Sequence, residues 1–367
     1  MTIGIPKEIK IGEGRIAITP VAVAQLVRSG HQVYVAQGAG LKSGSTDQKF
    51  RRAGARMVNQ KTAWAQSLIL KVKEPTPSEY RYLRKGQILF SYLHLAGSPK
   101  KLTEQLLKKE VTAIAMETVE KNGILNLAAP MSEVAGRMAI EVGAWYLQQS
   151  QAGRGILLDK ILGVDRTQIV VIGGGTAGRS AAESALARGA CVDIFEIRQD
   201  RRQQLKKFFA KNRLLKIYNL DKKILASTLQ HADVVVGAAL IPGARSPQIV
   251  LREMVKKMKK GSVIVDIAID QGGCFETSVA GTHDKPIKVI HGVTHYAVLN
   301  MPGAFPHSST QALVHATAPY IQALAGKGMQ ALKKDRGFAK GLATYQGRLY
   351  SKPVGKYFGI KTFNFIT

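Results

Sequence analysis

The sequence predicts an α/β protein of two doubly wound parallel sheets, and three observations carry that prediction. Apolar strand-like runs alternate with helix-like runs, the alternation comes in two separate series, and one strand-to-helix junction is a glycine-rich turn. At 367 residues the chain has length for about two such domains rather than one core.

In the first series TIGIPKE, HQVYVAQ, SLILKVKE, QILFSYLHL and VTAIAMET read as short buried strands. The stretches between them read as helices: TPVAVAQLVRSG, with Thr19 as N-cap and Gly30 as stop, then TDQKFRRAGA, then SPKKLTEQLLKKE with Ser98 as N-cap. A long helical pattern from Ser132 to about Gln151 precedes the second series. Its strands are QIVVIGGG, CVDIFEI, DVVVGAAL, SVIVDIAID and KVIHGV. After Asn300 the chain turns helical again through ALVHATAPYIQALAGKG, and the tail from Ala331 to Thr367 reads as short helix and loop. If that tail packs on the first domain, residues 1–126 and 306–367 form one discontinuous domain. Residues 127–305 are then an inserted second domain, and the helices near 132–151 and 310–326 connect the two across a cleft.

Composition excludes several classes. The chain begins MTIGIPKEIK, without the apolar segment and small-residue cleavage site of a signal peptide, and no apolar run reaches the roughly 18 residues of a membrane span, VVVGAALIPGA included. A cytoplasmic protein with no membrane partner is expected. Cys191 and Cys274 fit no metal spacing and read as packing residues, so no metal is expected. The net charge of +28 would ordinarily suggest nucleic acid. The basic excess is spread along all three segments without interleaved aromatics, however, so the basic doublets read as solvated faces and no specific nucleic-acid partner is expected.

The glycine turn is the strongest chemical signal. In QIVVIGGGTAGRSAAE, Gly173, Gly175 and Gly178 follow a β-branched strand and open an Ala-rich helix. Such glycines allow a tight turn, approach of backbone to a pyrophosphate, and close packing of helix on strand, while the helix N-terminus offers amides to phosphate. Glu196 ends the next strand, where a carboxylate accepts hydrogen bonds from a ribose and repels a 2′-phosphate, so NAD is favoured over NADP. Arg198, two residues on, argues the other way unless it belongs to a basic surface with Arg201 and Arg202.

The run VIVDIAIDQGG places two carboxylates in an apolar strand. Ligands of open α/β sheets sit beyond the carboxyl ends of the strands, so Asp270, read as the end of the fourth strand, falls beside the cofactor and suits proton transfer. Asp266 lies deeper and reads as a carboxylate satisfied by loop or helix-end amides.

VDIAIDQGG, LILKVKEP, GQILFSYLHLA, LAAPMSEVAGRMA, GGGTAG and HYAVLNMPGAFPHSSTQAL together resemble the bacterial alanine dehydrogenase family, from Met1 to the last fifteen residues or so. The NAD-binding subunit of proton-pumping transhydrogenase is a more distant likeness. The resemblance implies oxidation of L-alanine to pyruvate and ammonium with NAD, the reverse amination, and a homo-oligomer, a hexamer. It also implies roles. Arg15 would anchor the substrate carboxylate, which a guanidinium fork suits. Lys73 would bind carboxylate and carbonyl oxygens; pattern alone cannot separate it from Lys71, and the resemblance chooses Lys73. A lone histidine ending an apolar strand is more often a satisfied core group, but the resemblance makes His94 the general acid/base beside Asp270. Ser132, otherwise a helix N-cap, and Asn300 would lie near the nicotinamide and substrate. Glu196 departs from the family's commoner aspartate. A non-catalytic NAD-binding subunit or sensor is the alternative, and Arg15, Lys73, His94 and Asp270 occurring together argue against it. A saccharopine-forming enzyme fits PMSEVAGR and NMPGAFPHSST less well.

Overall fold

The computed structural model describes residues 1–210, 212–240 and 245–365; the end of the VVVGAALIPGA run and the last two residues of the tail lie outside them. The chain forms two compact units, Met1–Met131 with Gly303–Thr367, and Ser132–Pro302.

In the first unit six parallel strands come from β1 (Thr2–Ile5), β2 (Gln32–Ala36), β3 (Arg56–Val58), β4 (Leu68–Leu70), β5 (Ile88–Ser91) and β6 (Thr112–Ala115). In the second, β7 (Gln168–Ile172), β8 (Cys191–Phe195), β9 (Leu215–Tyr218), β10 (Val234–Gly237) and β11 (Val263–Asp266) run parallel, and β12 (Ile287–Ile290) pairs antiparallel with β13 (Val293–Tyr296). The chain returns to the first sheet as an antiparallel edge of β14 (Leu342–Tyr345) and β15 (Arg348–Leu349). The orders are β15-β14-β6-β5-β4-β1-β2-β3 and β12-β13-β11-β10-β7-β8-β9. Each therefore reverses direction once, between β1 and β4 and between β7 and β10, which are the positions where such sheets bind ligands.

Continuous apolar strands follow from burial on both faces. Leu68 and Leu70 belong to one core with Ile3, Ile5 and Phe90, and Ile69 and Leu89 to another on the opposite face with Leu102 and Leu106. Val234 and Val236 are separated from Val235 in the same manner. On β1, Gly4 faces the helix Gln60–Trp64, where an added Cβ would lie 1.9 Å from the Ala63 carbonyl oxygen. Thr19 caps the helix Pro20–Arg28 as expected, accepting from the Ala22 amide.

Several expectations are corrected. β3 and β9 lay in stretches read as connections. KVIHGV is a hairpin, β12 turning through His291 and Gly292 into β13, and the tail carries the β14–β15 hairpin beside its short helices. Ser98 does not cap the helix Lys100–Lys108; Pro99 holds that place, and the Ser98 hydroxyl donates to the Leu93 carbonyl. The long helix spans Ala129–Tyr146, so Ser132 sits within its first turn rather than at its N-cap. The strand carrying Asp266 stops there, and Asp270 belongs to the following 3-10 turn, Ile267–Gln271.

Candidate active site

In the first unit the charged groups gather past the carboxyl ends of β1, β4, β5 and β6. Arg15 is buried, and Glu13 takes one edge of its guanidinium, with Nε donating to Oε1 at 2.7 Å and Nη2 to Oε2 at 2.5 Å. Nη1 lies 3.0 Å from the Met131 sulfur. Burial opposes charge on Glu13, but Arg15, with a smaller contribution from Lys73, outweighs it and holds the carboxyl below its ordinary range. Glu13, Arg15 and Lys73 thus share one electrostatic neighbourhood. The sequence offered no signal for Glu13 beyond its place two residues before Arg15.

Geometry separates the two lysines that pattern left equivalent. β4 ends at Leu70, so they share no strand. Lys71 is fully buried, its Nζ 2.9 Å from Glu8 Oε2 and 3.1 Å from Glu79 Oε1, while Glu8 Oε1 also accepts from the Val72 amide at 2.6 Å. Burial alone would lower the Lys71 pKa; Glu8 and Glu79 reverse this and raise it. Removing one member of a buried ion group strands the others without compensation. Lys71→Met is therefore expected to destabilise the protein by about 3–5 kcal/mol, read as a lower urea midpoint at unchanged slope.

His94 follows β5 in a left-handed conformation, φ 41° and ψ 44°, which a residue with a side chain adopts only when its surroundings hold it there. Glu117, beyond β6, does the holding: its carboxylate accepts the His94 amide at 2.7 Å and the Leu93 amide at 3.1 Å, and lies 4.0 Å from Nδ1. The imidazole stacks near-parallel on Tyr92, ring centres 6.1 Å apart, and its side chain stays 40% exposed. Tyr92 is buried and donates to the Leu127 carbonyl at 2.6 Å. This is a partly open imidazole on a fixed backbone, not a satisfied core histidine.

In the second unit the glycine turn joins β7 to the helix Thr176–Ala187. Gly173 has φ 98°, and a Cβ there would lie 2.7 Å from the Ala239 amide; at Gly178 it would lie 1.8 Å from the Gly173 carbonyl oxygen. At Gly175 the nearest atom to such a Cβ is Arg201 Nη1, at 3.3 Å. The turn is thus packed tight below and open at Gly175, beside a helix N-terminus and an arginine whose buried Nε has no partner. That cradle fits a dinucleotide pyrophosphate. Arg201 leans on the glycine turn instead of belonging to a solvated basic face; its sequence position alone gave no hint of this.

Glu196 is buried at the end of β8, with Oε2 accepting from the Gly174 amide and Oε1 from the Arg198 amide, each at 2.8 Å. The longer side chain curls back onto the turn. The exposed Arg198 guanidinium pairs with Asp200.

The two aspartates of the opening run part company. Asp266 is fully buried, and both its oxygens accept from the Cys274 amide, at 3.2 and 3.0 Å. Burial pushes its carboxyl up to about 6, against the pull of the Ser278 side chain and the Cys274, Phe275 and Ala268 amides. Asp270 is exposed, and its Oδ1 accepts the Asn300 amide at 3.1 Å. Asn300 is itself left-handed, φ 61°, and its carbonyl lies 3.4 Å from His283 Nε2. Ser132 is half-buried in its helix. Among the described residues, no helix is long and apolar enough to cross a membrane.

Two family models cover the chain: alanine dehydrogenase/PNT, N-terminal domain, over residues 4–135, and alanine dehydrogenase/PNT, C-terminal domain, over residues 139–352. The chain is 47% identical over 362 residues to an alanine dehydrogenase of Bacillus subtilis (strain 168), covering 98% of this chain and 95% of that one. Among solved structures it is similar to an L-alanine dehydrogenase, with a TM-score of 0.91 and 43% identity over 98% of this chain and 99% of the other. A transhydrogenase from Sinorhizobium meliloti gives a TM-score of 0.81 and 26% identity over 95% and 98%. By sequence over nearly its whole length and by fold, the chain belongs to the alanine dehydrogenase/PNT family.

Proposed function

We propose that the protein oxidises L-alanine to pyruvate and ammonium with NAD, and runs the reverse amination. The observation that carries this reading is the 47% identity to an alanine dehydrogenase over nearly the whole chain, joined to a sequence that carries Arg15, Lys73, His94 and Asp270. The unit Ser132–Pro302 binds NAD, with Gly173, Gly175 and Gly178 under the pyrophosphate, Glu196 toward the ribose, and Ser132 toward the nicotinamide. The other unit binds substrate. A transhydrogenase-type binding subunit is the weaker reading, because the likeness there is 26% against 43% and a pure binder has no use for four substrate groups.

Arg15, its guanidinium held by Glu13, binds the substrate carboxylate. A guanidinium already charge-balanced on one side is oriented before substrate arrives. Lys73 donates to the carboxylate and carbonyl oxygens, and Asn300 helps to hold the substrate. A bound NAD, held by Gly173, Gly175, Gly178 and Glu196, would supply the acceptor for the hydride that leaves Cα. Water then adds to the substrate iminium, giving up its proton to His94 or Asp270, and the carbinolamine collapses to pyruvate as the amine leaves protonated. The small-molecule partners are alanine, pyruvate and ammonium. The protein works in the cytoplasm as a homo-oligomer, a hexamer.

Absorbance at 340 nm with L-alanine and NAD at alkaline pH tests the reading. Turnover is expected with NAD and not with NADP, and Asp270→Asn is expected to lower it at least about 100-fold. Intact NAD binding without turnover of alanine or any small amino acid would leave the binding-subunit reading standing.

A further inference from the structure

Asp266 is fully buried at the carboxyl end of β11 and has no assigned part in the chemistry. It closes β11, and the segment that follows leaves the sheet, makes the 3-10 turn Ile267–Gln271 that bears Asp270, and returns to it. Two left-handed glycines bring it back: Gly272 at φ 101° and Gly273 at φ 80°. The next residue is Cys274, whose amide points at both Asp266 oxygens. Asp266 therefore ties the exit of the segment to its return.

The surroundings are shaped to this carboxylate. A Cβ at Gly273 would lie 2.5 Å from Asp266 Oδ2, so this neighbour must lack a side chain for the carboxylate to reach the Cys274 amide. One at Gly237, the residue paired with Asp266 on β10, would meet the Phe275 ring at 2.5 Å and Asp266 Oδ1 at 3.1 Å. Within the segment, the Gly272 amide donates to the Ile269 carbonyl and the Gly273 amide to the Ala268 carbonyl, so the turn is closed by its own hydrogen bonds. Its outer end is fixed where Asp270 accepts the Asn300 amide. The Gln271 carbonyl is also held by the Ser246 amide at 2.8 Å and the Cys274 carbonyl by the Ile249 and Val250 amides at 2.8 and 3.1 Å, so loss of the Asp266 contact loosens the turn where it leaves and rejoins the sheet without detaching it.

We infer that Asp266 is a positioning residue, a buried clamp that fixes the Ile267–Cys274 segment and through it the orientation of the Asp270 carboxylate. The inference rests on the catalytic reading of Asp270 proposed above. Asparagine at 266 keeps the volume but turns one acceptor into a donor, which faces the Cys274 amide donor-to-donor or leaves it one weaker acceptor.

The experiment compares Asp266→Asn, Asp270→Asn and the double variant in the full-length protein, by alanine turnover and by NADH fluorescence titration. Asp266→Asn is expected to lower kcat about 10-fold or more, with the KM for alanine and the Kd for NADH changed by less than about threefold. In the double variant the loss is expected to equal that of Asp270→Asn alone within about threefold, because a clamp has nothing left to place. Loss that multiplies on top of Asp270→Asn, or a kcat for Asp266→Asn within about threefold of wild type, overturns the clamp. If Asp266→Asn does not fold, Gly273→Ala attacks the same contact from the other side and must show the same non-additivity. Full activity of Asp270→Asn by itself would instead overturn the role of Asp270, a result separate from either outcome at Asp266.

Discussion

His94→Asn is expected to lower kcat for alanine oxidation by about 10²–10⁴-fold, the range that loss of a positioned acid/base group produces. Asparagine is the informative replacement because it tolerates the left-handed conformation held at this position, φ 41°, better than other side chains do. The Leu93 and His94 amides can then keep their bonds to Glu117, and the strand end stays where it is. What is lost is the ring, which stands partly open to solvent over Tyr92. The Kd for NADH is expected to stay within about threefold of wild type, since His94 belongs to the unit assigned to substrate. A kcat within threefold of wild type would remove His94 from the acid/base pair and leave Asp270 to act alone.

Which parts of this molecule could be read from sequence follows from how local each signal is. The glycine turn is a local device: strand, three glycines and helix occupy adjacent residues, and each glycine answers a contact made within that unit or against its neighbour. The capping of the helix Pro20–Arg28 by Thr19 is local too. Asp270 was misplaced because Ile267, Ala268 and Ile269 are as apolar as the strand before them, and a buried 3-10 turn has the composition of a strand. Both overlooked hairpins turn through an X–Gly pair with both residues at positive φ, His291–Gly292 at 54° and 78° and Gln346–Gly347 at 48° and 71°. Two-residue hairpin turns of type I′ require that geometry, but histidine and glutamine are not the asparagine or aspartate that usually announce it. β3 and β9 lie at sheet edges with few fully buried residues, so their composition carries little of the strand signature.

The site itself divides along the same line. Arg15, Lys73 and His94 could be named from family resemblance, while the groups that hold them could not be found by pattern. Glu117, beyond β6, reaches His94, beyond β5, and Glu8, beyond β1, reaches Lys71, beyond β4. Those pairings exist only once the sheet order is known. Lys71 and Lys73 make the point most plainly, since one is locked between two carboxylates and the other lies toward Arg15 and Glu13, a difference that two identical side chains two residues apart do not reveal.

Gly178→Ala and Gly175→Ala differ by one methyl group placed three residues apart in the same turn, and they are expected to fail in different ways. At Gly178 the methyl carbon would fall 1.8 Å from the Gly173 carbonyl oxygen and 3.1 Å from Val171 Cγ1. The first contact is with backbone, so the helix Thr176–Ala187 must lift from β7 and the turn must open. Overpacking of this kind destabilises by about 1–3 kcal/mol, and because the helix N-terminus moves with it, NADH affinity is expected to fall at least about 100-fold. At Gly175 the backbone has φ −68° and ψ −169°, which alanine adopts without strain, and the nearest atom is the end of a flexible arginine at 3.3 Å. Unfolding free energy there is expected to stay within about 0.5 kcal/mol of wild type. Affinity should nevertheless drop by about 10-fold or more, because the methyl group occupies the space through which the backbone approaches the pyrophosphate. Denaturant unfolding and NADH titration on the same two proteins separate the cases. If Gly175→Ala bound NADH like wild type, the cradle beside Arg201 would not be where the cofactor phosphates lie. If Gly178→Ala kept both stability and affinity, the close packing of helix on strand would not be what holds the turn in shape.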